Sequence, residues 1–262
     1  MRLCLVLTAT VLLGCAELPD APTEQPNAPV FRIAANGLNS SYVFANQLAA
    51  GPLGKHRLAT RRFGMTDAAD GLLATPEGQT VLAFLIACAL PEGTSIVASF
   101  NGDDLEFFGE LGIAPRWLDH PLGEKGRGWV SACLFSRVNN LAPRTFSMRG
   151  TNRALALGPD ELAVFNIEEG AFYGEYFGKG ASGCSACRGA GSDAALEAAH
   201  RICTIPDPAN PGFTKCGFNY AGLCSEVCRK FENGHWTRCT DGARKKPVTF
   251  DQVISTFVSP QH

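Results

Sequence analysis

Eleven cysteines, crowded toward one end, constrain this 262-residue chain more than any other feature. Seven fall after position 183: Cys184, Cys187, Cys203, Cys216, Cys224, Cys228 and Cys239. Cys88 and Cys133 stand apart in the middle, and Cys4 and Cys15 lie near the start. A loop-rich stretch that dense in sulfur buries too little apolar surface to hold itself together, so its cysteines are read as cross-links or metal ligands. Cys184-Ser-Ala-Cys187 and Cys224-Ser-Glu-Val-Cys228 have spacings that would suit zinc. The redox compartment decides between the two chemistries.

The start of the chain speaks to that compartment. Arg2 is followed by an apolar run that ends in Gly14 and Cys15, the layout of a secretory signal. The run is much shorter than the roughly 20 residues that a membrane-crossing helix needs, and no comparable run follows it. Leu12-Leu13-Gly14-Cys15 resembles the lipobox of bacterial lipoproteins. That resemblance covers only the N-terminal residues; it implies that residues 1–14 are removed and that Cys15 is acylated as the new N-terminus. In that family an Asp after the cysteine favours retention at the inner membrane. Ala16 stands there instead, which implies the outer membrane or cell surface. Several acyl chains, at about 0.8 kcal/mol per buried CH₂, would make the anchor firm.

An exported chain meets an oxidising environment, which favours disulfides over zinc, and neither a metal nor a cofactor is expected. With Cys4 in the signal and Cys15 carrying lipid, nine cysteines remain, an odd number. Cys184 is the candidate for the free thiol, because Cys187, Cys203, Cys216, Cys224, Cys228 and Cys239 then make an even set whose pairing stays open. Cys88 and Cys133 are either packed thiols or a bridge. Such a bridge would contribute about 4 kcal/mol by loop-closure entropy.

Hydrophobic residues make up 45% of the chain and charged residues 18%, the composition of a folded protein. The formal charge is −2, and losing Arg2 takes 23 basic residues to 22 against 25 acidic ones. Nothing in that balance suggests a nucleic-acid partner, and none is expected. Residues 15–30 carry Pro19, Pro22, Pro26 and Pro29, as a semi-extended tether does. Residues 31–62 place Leu38, Val43, Leu48, Leu53 and Leu58 at every fifth position, slightly like a pentapeptide solenoid. So few units cannot stack into one, and a surface segment pinned by spaced apolar residues is favoured.

Residues 75–177 are expected to form an α+β core, a small sheet with two packed helices. Thr75-Pro76 starts the first helix, with Val81, Phe84, Leu85 and Cys88 on its inner face. A hairpin follows, from strands at 94–100 and 105–109 joined by Asn101-Gly102-Asp103. The second helix is predicted over 126–141, with Val130, Cys133, Leu134 and Val138 inside, and strands over 144–149 and 162–167. Residues 178–262 read as a disulfide-rich, loop-rich lobe. It holds a short helix at 192–203 and a terminal strand at 248–258, which is expected to rejoin the main sheet.

Catalytic patterns are weak. Cys184-Ser-Ala-Cys187 lacks the strand-to-helix setting of a reactive dithiol. No Gly-x-Ser-x-Gly elbow or phosphate-binding glycine motif occurs. Neighbouring Glu168 and Glu169 should point to opposite faces of a strand and read as a solvated strand end. A wall-acting or polymer-acting hydrolase would have to gather Glu168, Glu175, His200 or Asp119 in one pocket. The favoured expectation is a membrane-anchored protein, not an enzyme, with a binding or structural role toward a protein or polysaccharide.

Overall fold

The structure, a computed structural model, describes residues 33–60, 64–178, 183–230, 234–241 and 247–260. Cys4, Cys15 and the tether lie outside them. The helices are α1 (Ser40–Ala45), α2 (Gln47–Leu53), α3 (Asp70–Leu73), α4 (Pro76–Ala89), α5 (Glu124–Ser136), α6 (Pro159–Val164), α7 (Ser192–Ala199) and α8 (Cys224–Val227). The strands are β1 (Ile33–Ala35), β2 (Ser95–Phe100), β3 (Asp103–Phe108), β4 (Thr145–Arg149), β5 (Ile167–Gly174), β6 (Cys184–Arg188), β7 (Asn219–Leu223), β8 (Arg229–Lys230), β9 (Trp236–Thr237), β10 (Cys239–Asp241), β11 (Val248–Phe250) and β12 (Val253–Val258). This is an α+β fold with a cysteine-rich C-terminal region.

Six strands form the main sheet in the order β1-β4-β12-β5-β6-β7, antiparallel except for β6 beside β7. The apolar segment expected over 248–258 is broken at Asp251-Gln252. Its first part pairs with β10, and its second part becomes β12, seated between β4 and β5. Every residue of β12 is buried. Strand alternation sends Ile254 and Val258 to one face, where Phe146 and Met148 of β4 meet Ala132 and Cys133 of α5 and Ala195 and Ala199 of α7. Val253 goes to the other face, among Ala171, Tyr173, Cys187, Cys224, Trp236 and Cys239. The sheet is thus covered by helices on one side and by the cysteine-rich segments on the other.

α4 forms where its cap predicts. Thr75 accepts a hydrogen bond from the Gly78 amide (3.0 Å), Pro76 occupies the first turn, and Pro91 stops the helix one residue past its cap, Leu90. Val81, Leu85 and Cys88 are buried, but Phe84 is only half-buried and belongs to the helix flank. The β2–β3 hairpin turns at Asn101 (φ 54°) and Gly102 (φ 91°), left-handed conformations that suit Asn-Gly.

Four expectations are corrected. Residues 162–164, expected to open a strand over 162–167, instead end α6, because Pro159 at the first turn and Asp160 and Glu161 beside the helix N-terminus favour a helix start; the strand begins at Ile167. α5 ends at Ser136 instead of reaching 141. Val138 stays buried, while its neighbour Asn139 donates its amide to Leu38 (3.0 Å). The helix at 192–203 stops at Ala199, capped by His200 in a left-handed conformation (φ 50°). The segment with the five-residue spacing is pinned by Leu38, Val43, Leu53 and Leu58, all buried, but Leu48 is 78% exposed, because α1 and α2 follow a helical and not a five-residue period.

Four disulfides join Cys88 to Cys133, Cys187 to Cys224, Cys203 to Cys216 and Cys228 to Cys239. The first ties α4 to α5 across 45 residues of sequence. Cys184 is the described cysteine outside these bridges, and it is buried. Replacing Cys88 and Cys133 together by serine should cost about 4 kcal/mol, read from denaturant unfolding. A loss below about 1 kcal/mol would mean that packing alone holds α4 on α5.

Candidate functional site

The carboxylates singled out from sequence do not converge. Glu168 and Glu169 sit at an irregularity in β5, where the pairing to β12 slips between Phe257 opposite Glu168 and Thr256 opposite Gly170. They point to opposite faces of the sheet. Glu168 accepts a hydrogen bond from the Trp236 indole (2.7 Å). Glu169 is fully buried, which overturns the solvated-strand-end reading. Its Oε2 accepts from Arg201 Nε (2.8 Å), Arg201 Nη2 (2.7 Å) and Thr256 Oγ1 (2.7 Å). Arg201 also donates to the Ser136 carbonyl (3.0 Å) and lies 4.6 Å over the Phe146 ring. A buried charge is tolerated when it is both paired and hydrogen-bonded, as this pair is. Its position binds α7, α5 and the sheet into one unit.

Glu175 is half-buried, paired with Arg127 (3.1 Å) and accepting from the Phe177 amide (3.0 Å). It lines a surface pocket of about 370 Å³ with Glu124, Lys125, Arg127, Gly128 and residues 248–252. Asp119 lies exposed at the end of a short 3-10 turn, and His200 is the exposed C-cap of α7. Neither lines that pocket, nor does Glu168. A general acid and base must both reach one bond; these four residues occupy separate places.

A second buried charge centre lies on the lobe face of β4 and β12. The Arg149 guanidinium lies 3.7 Å over the Phe257 ring, donates to the Phe165 carbonyl, and donates to Ser147 Oγ (3.2 Å). Ser147 in turn donates to Glu161 (2.5 Å). Burial pushes the Arg149 pKa down to about 10, against the pull of Glu161 and Glu168. His235 is buried nearby, and burial followed by the Arg149 charge holds its pKa below the usual histidine value.

The sulfurs also cluster. Cys187 Sγ lies 3.6 Å from Cys228 Sγ, and the sulfurs of Cys187, Cys228 and Cys239 lie within 4.8 Å of one another. All three are in disulfides, so a metal could be held there only after two bridges were reduced.

One further concavity among the described residues is mostly apolar. A groove of about 390 Å³ runs between α4 and β3, with Ala83, Phe84 and Ala87 on one wall and Glu106 to Glu110 on the other. Arg137 closes one end, paired with Glu110 (2.9 Å) and 5.8 Å over the Phe84 ring. Phe108 at its lip is 63% exposed. The sequence held a signal for this groove: residues 81–87 are apolar on every side of the helix, more than one buried face requires.

Fold and site together define a disulfide-braced α+β protein with an apolar groove and no convergent catalytic set among the described residues. No protein-family model matches the chain, and neither a curated protein nor a solved structure matches it.

Two substitutions test the buried charges. Arg201→Met should destabilise the protein by roughly 3–5 kcal/mol, because Glu169 is left charged and unpaired, whereas pairing it with Glu169→Leu should recover most of the loss. His235 must gain a proton on unfolding below about pH 6.5, because the unfolded chain binds protons that the buried ring resists. Stability should therefore fall as pH drops from about 7 to 5.5, with a flatter profile in His235→Phe. Equal slopes in thermal melts of the two proteins would rule out His235 as the source.

Proposed function

We propose that this chain is a lipid-anchored extracytoplasmic protein that binds another protein and carries out no hydrolysis. The observation that carries the binding role is the α4–β3 groove, concave, apolar and beside a sheet edge. Apolar grooves with a few fixed polar groups are where folded proteins receive ligands. The scatter of Glu168, Glu175, His200 and Asp119 counts against the hydrolase alternative.

Anchoring is supported from a different direction. Four disulfides suit an oxidising compartment. Leu12-Leu13-Gly14-Cys15 resembles a lipobox, and Ala16 favours the outer membrane or cell surface. Attachment is proposed to rest on lipid at Cys15; no helix among the described residues is long and apolar enough to cross a membrane.

Cys15→Ser should abolish incorporation of labelled fatty acid and move the protein from membranes to the soluble fraction. Membrane retention without label would exclude Cys15 as the anchor.

A further inference from the structure

We infer that the α4–β3 groove takes an extended, basic peptide segment of another exported protein, added to β3 as a further strand. This rests on the binding role proposed above and names its partner.

The backbone pattern comes first. The Gly109 amide donates to the Thr94 carbonyl (2.7 Å), and the two-residue turn closes between Phe100 and Asp103. In an antiparallel ladder, bonded pairs alternate with non-bonded ones. The bonded pairs are therefore Phe100 with Asp103, Ala98 with Leu105, and Ile96 with Phe107. Asp104, Glu106 and Phe108 aim their amides and carbonyls away from β2, along the side where the groove opens. The opposite edge of the hairpin is already covered, since the Met65 amide donates to the Val97 carbonyl (2.7 Å). Among the described residues no strand pairs with the outer edge of β3.

The side chains then select the occupant. A strand laid on that edge sends alternate residues toward Ala83, Phe84 and Ala87, where apolar groups fit. The intervening residues stand beside Asp104 and Glu106, both exposed, while Glu110 at the groove end is already paired with Arg137. Residues 63–115, which build α3, α4 and the hairpin, hold eight carboxylates and no Lys or Arg. The rim therefore favours Lys or Arg at the outward positions.

Other occupants fit poorly. A second copy pairing β3 with β3 would set Asp104 and Glu106 against their own equivalents, the like-charge device that keeps edges from self-association. The chain's own residues 16–30 carry Glu17, Asp20 and Glu24, four prolines and no basic residue. Proline cannot donate to a ladder.

Full-length lipidated protein in detergent micelles is titrated with fluorescent peptides of roughly eight residues, about one strand length. The first alternates Val and Lys, the second Val and Glu. Two further Val–Lys peptides are N-methylated on alternate amides, in the two possible registers. The Val–Lys peptide should bind, at least tenfold more tightly than Val–Glu, and should weaken at about 1 M salt, where the Debye length is about 3 Å. One N-methyl register should abolish binding and the other retain it. Glu106→Lys, on an exposed side chain, should weaken it about tenfold. Equal binding of Val–Glu, equal binding of both N-methyl registers, or protein self-association that displaces the peptide would each overturn the inference. Absence of Val–Lys binding overturns it too, and leaves the anchor, judged by Cys15 labelling, standing. Loss of the anchor with peptide binding intact would do the reverse.

Discussion

The structure depends on β12 lying between β4 and β5. Its six residues are buried, and its two neighbours, β4 and β5, pair with it and not with each other. Without β12, β4 with β1 would part from β5, β6 and β7. The helices α5 and α7 rest on the same strand, and the lobe segments pack against its other face. Thr256 and Ser255 show how the two faces are used. Thr256 hydrogen-bonds Glu169 on the helix side, and Ser255 accepts the Trp236 amide (2.7 Å) on the lobe side.

Around that strand, apolar packing is joined by two buried arginines. Arg201 reaches Glu169 and two carbonyls, while Arg149 reaches Ser147 and a carbonyl. Each lies over an aromatic ring, Phe146 or Phe257. Pairs of this kind add less net stability than their geometry suggests, because desolvation offsets attraction. What they supply is discrimination: a mispaired register would strand a full charge in the core. The disulfides act differently, by narrowing the unfolded ensemble. Cys187–Cys224 and Cys228–Cys239 gather α8, β6 and β10 at one point.

Much of this was legible locally. The Thr75-Pro76 cap, the Asn101-Gly102 turn and the apolar spacing of Val81, Leu85 and Cys88 each declare their element through nearby chemistry. Residues 162–165 misled because Leu162, Val164 and Phe165 look strand-like, whereas Pro159 and two carboxylates set the helix start. The Glu169–Arg201 pair was illegible, since nothing local marks two residues 32 positions apart as partners. The groove was half legible. Residues 81–87 advertise a second apolar face, but which strand edge borders it depends on how the hairpin packs.

The order of the strands carries one more consequence. β12 follows every other strand of its sheet in sequence, yet occupies the middle. A chain emerging N-terminus first cannot close this sheet until residues 253–258 are free. Premature folding during synthesis is thereby discouraged, because β4 and β5 have no direct pairing to hold them together. The late arrival of its central strand makes joining the two halves of the sheet, β1 with β4 and β5 with β6 and β7, the last step of assembly.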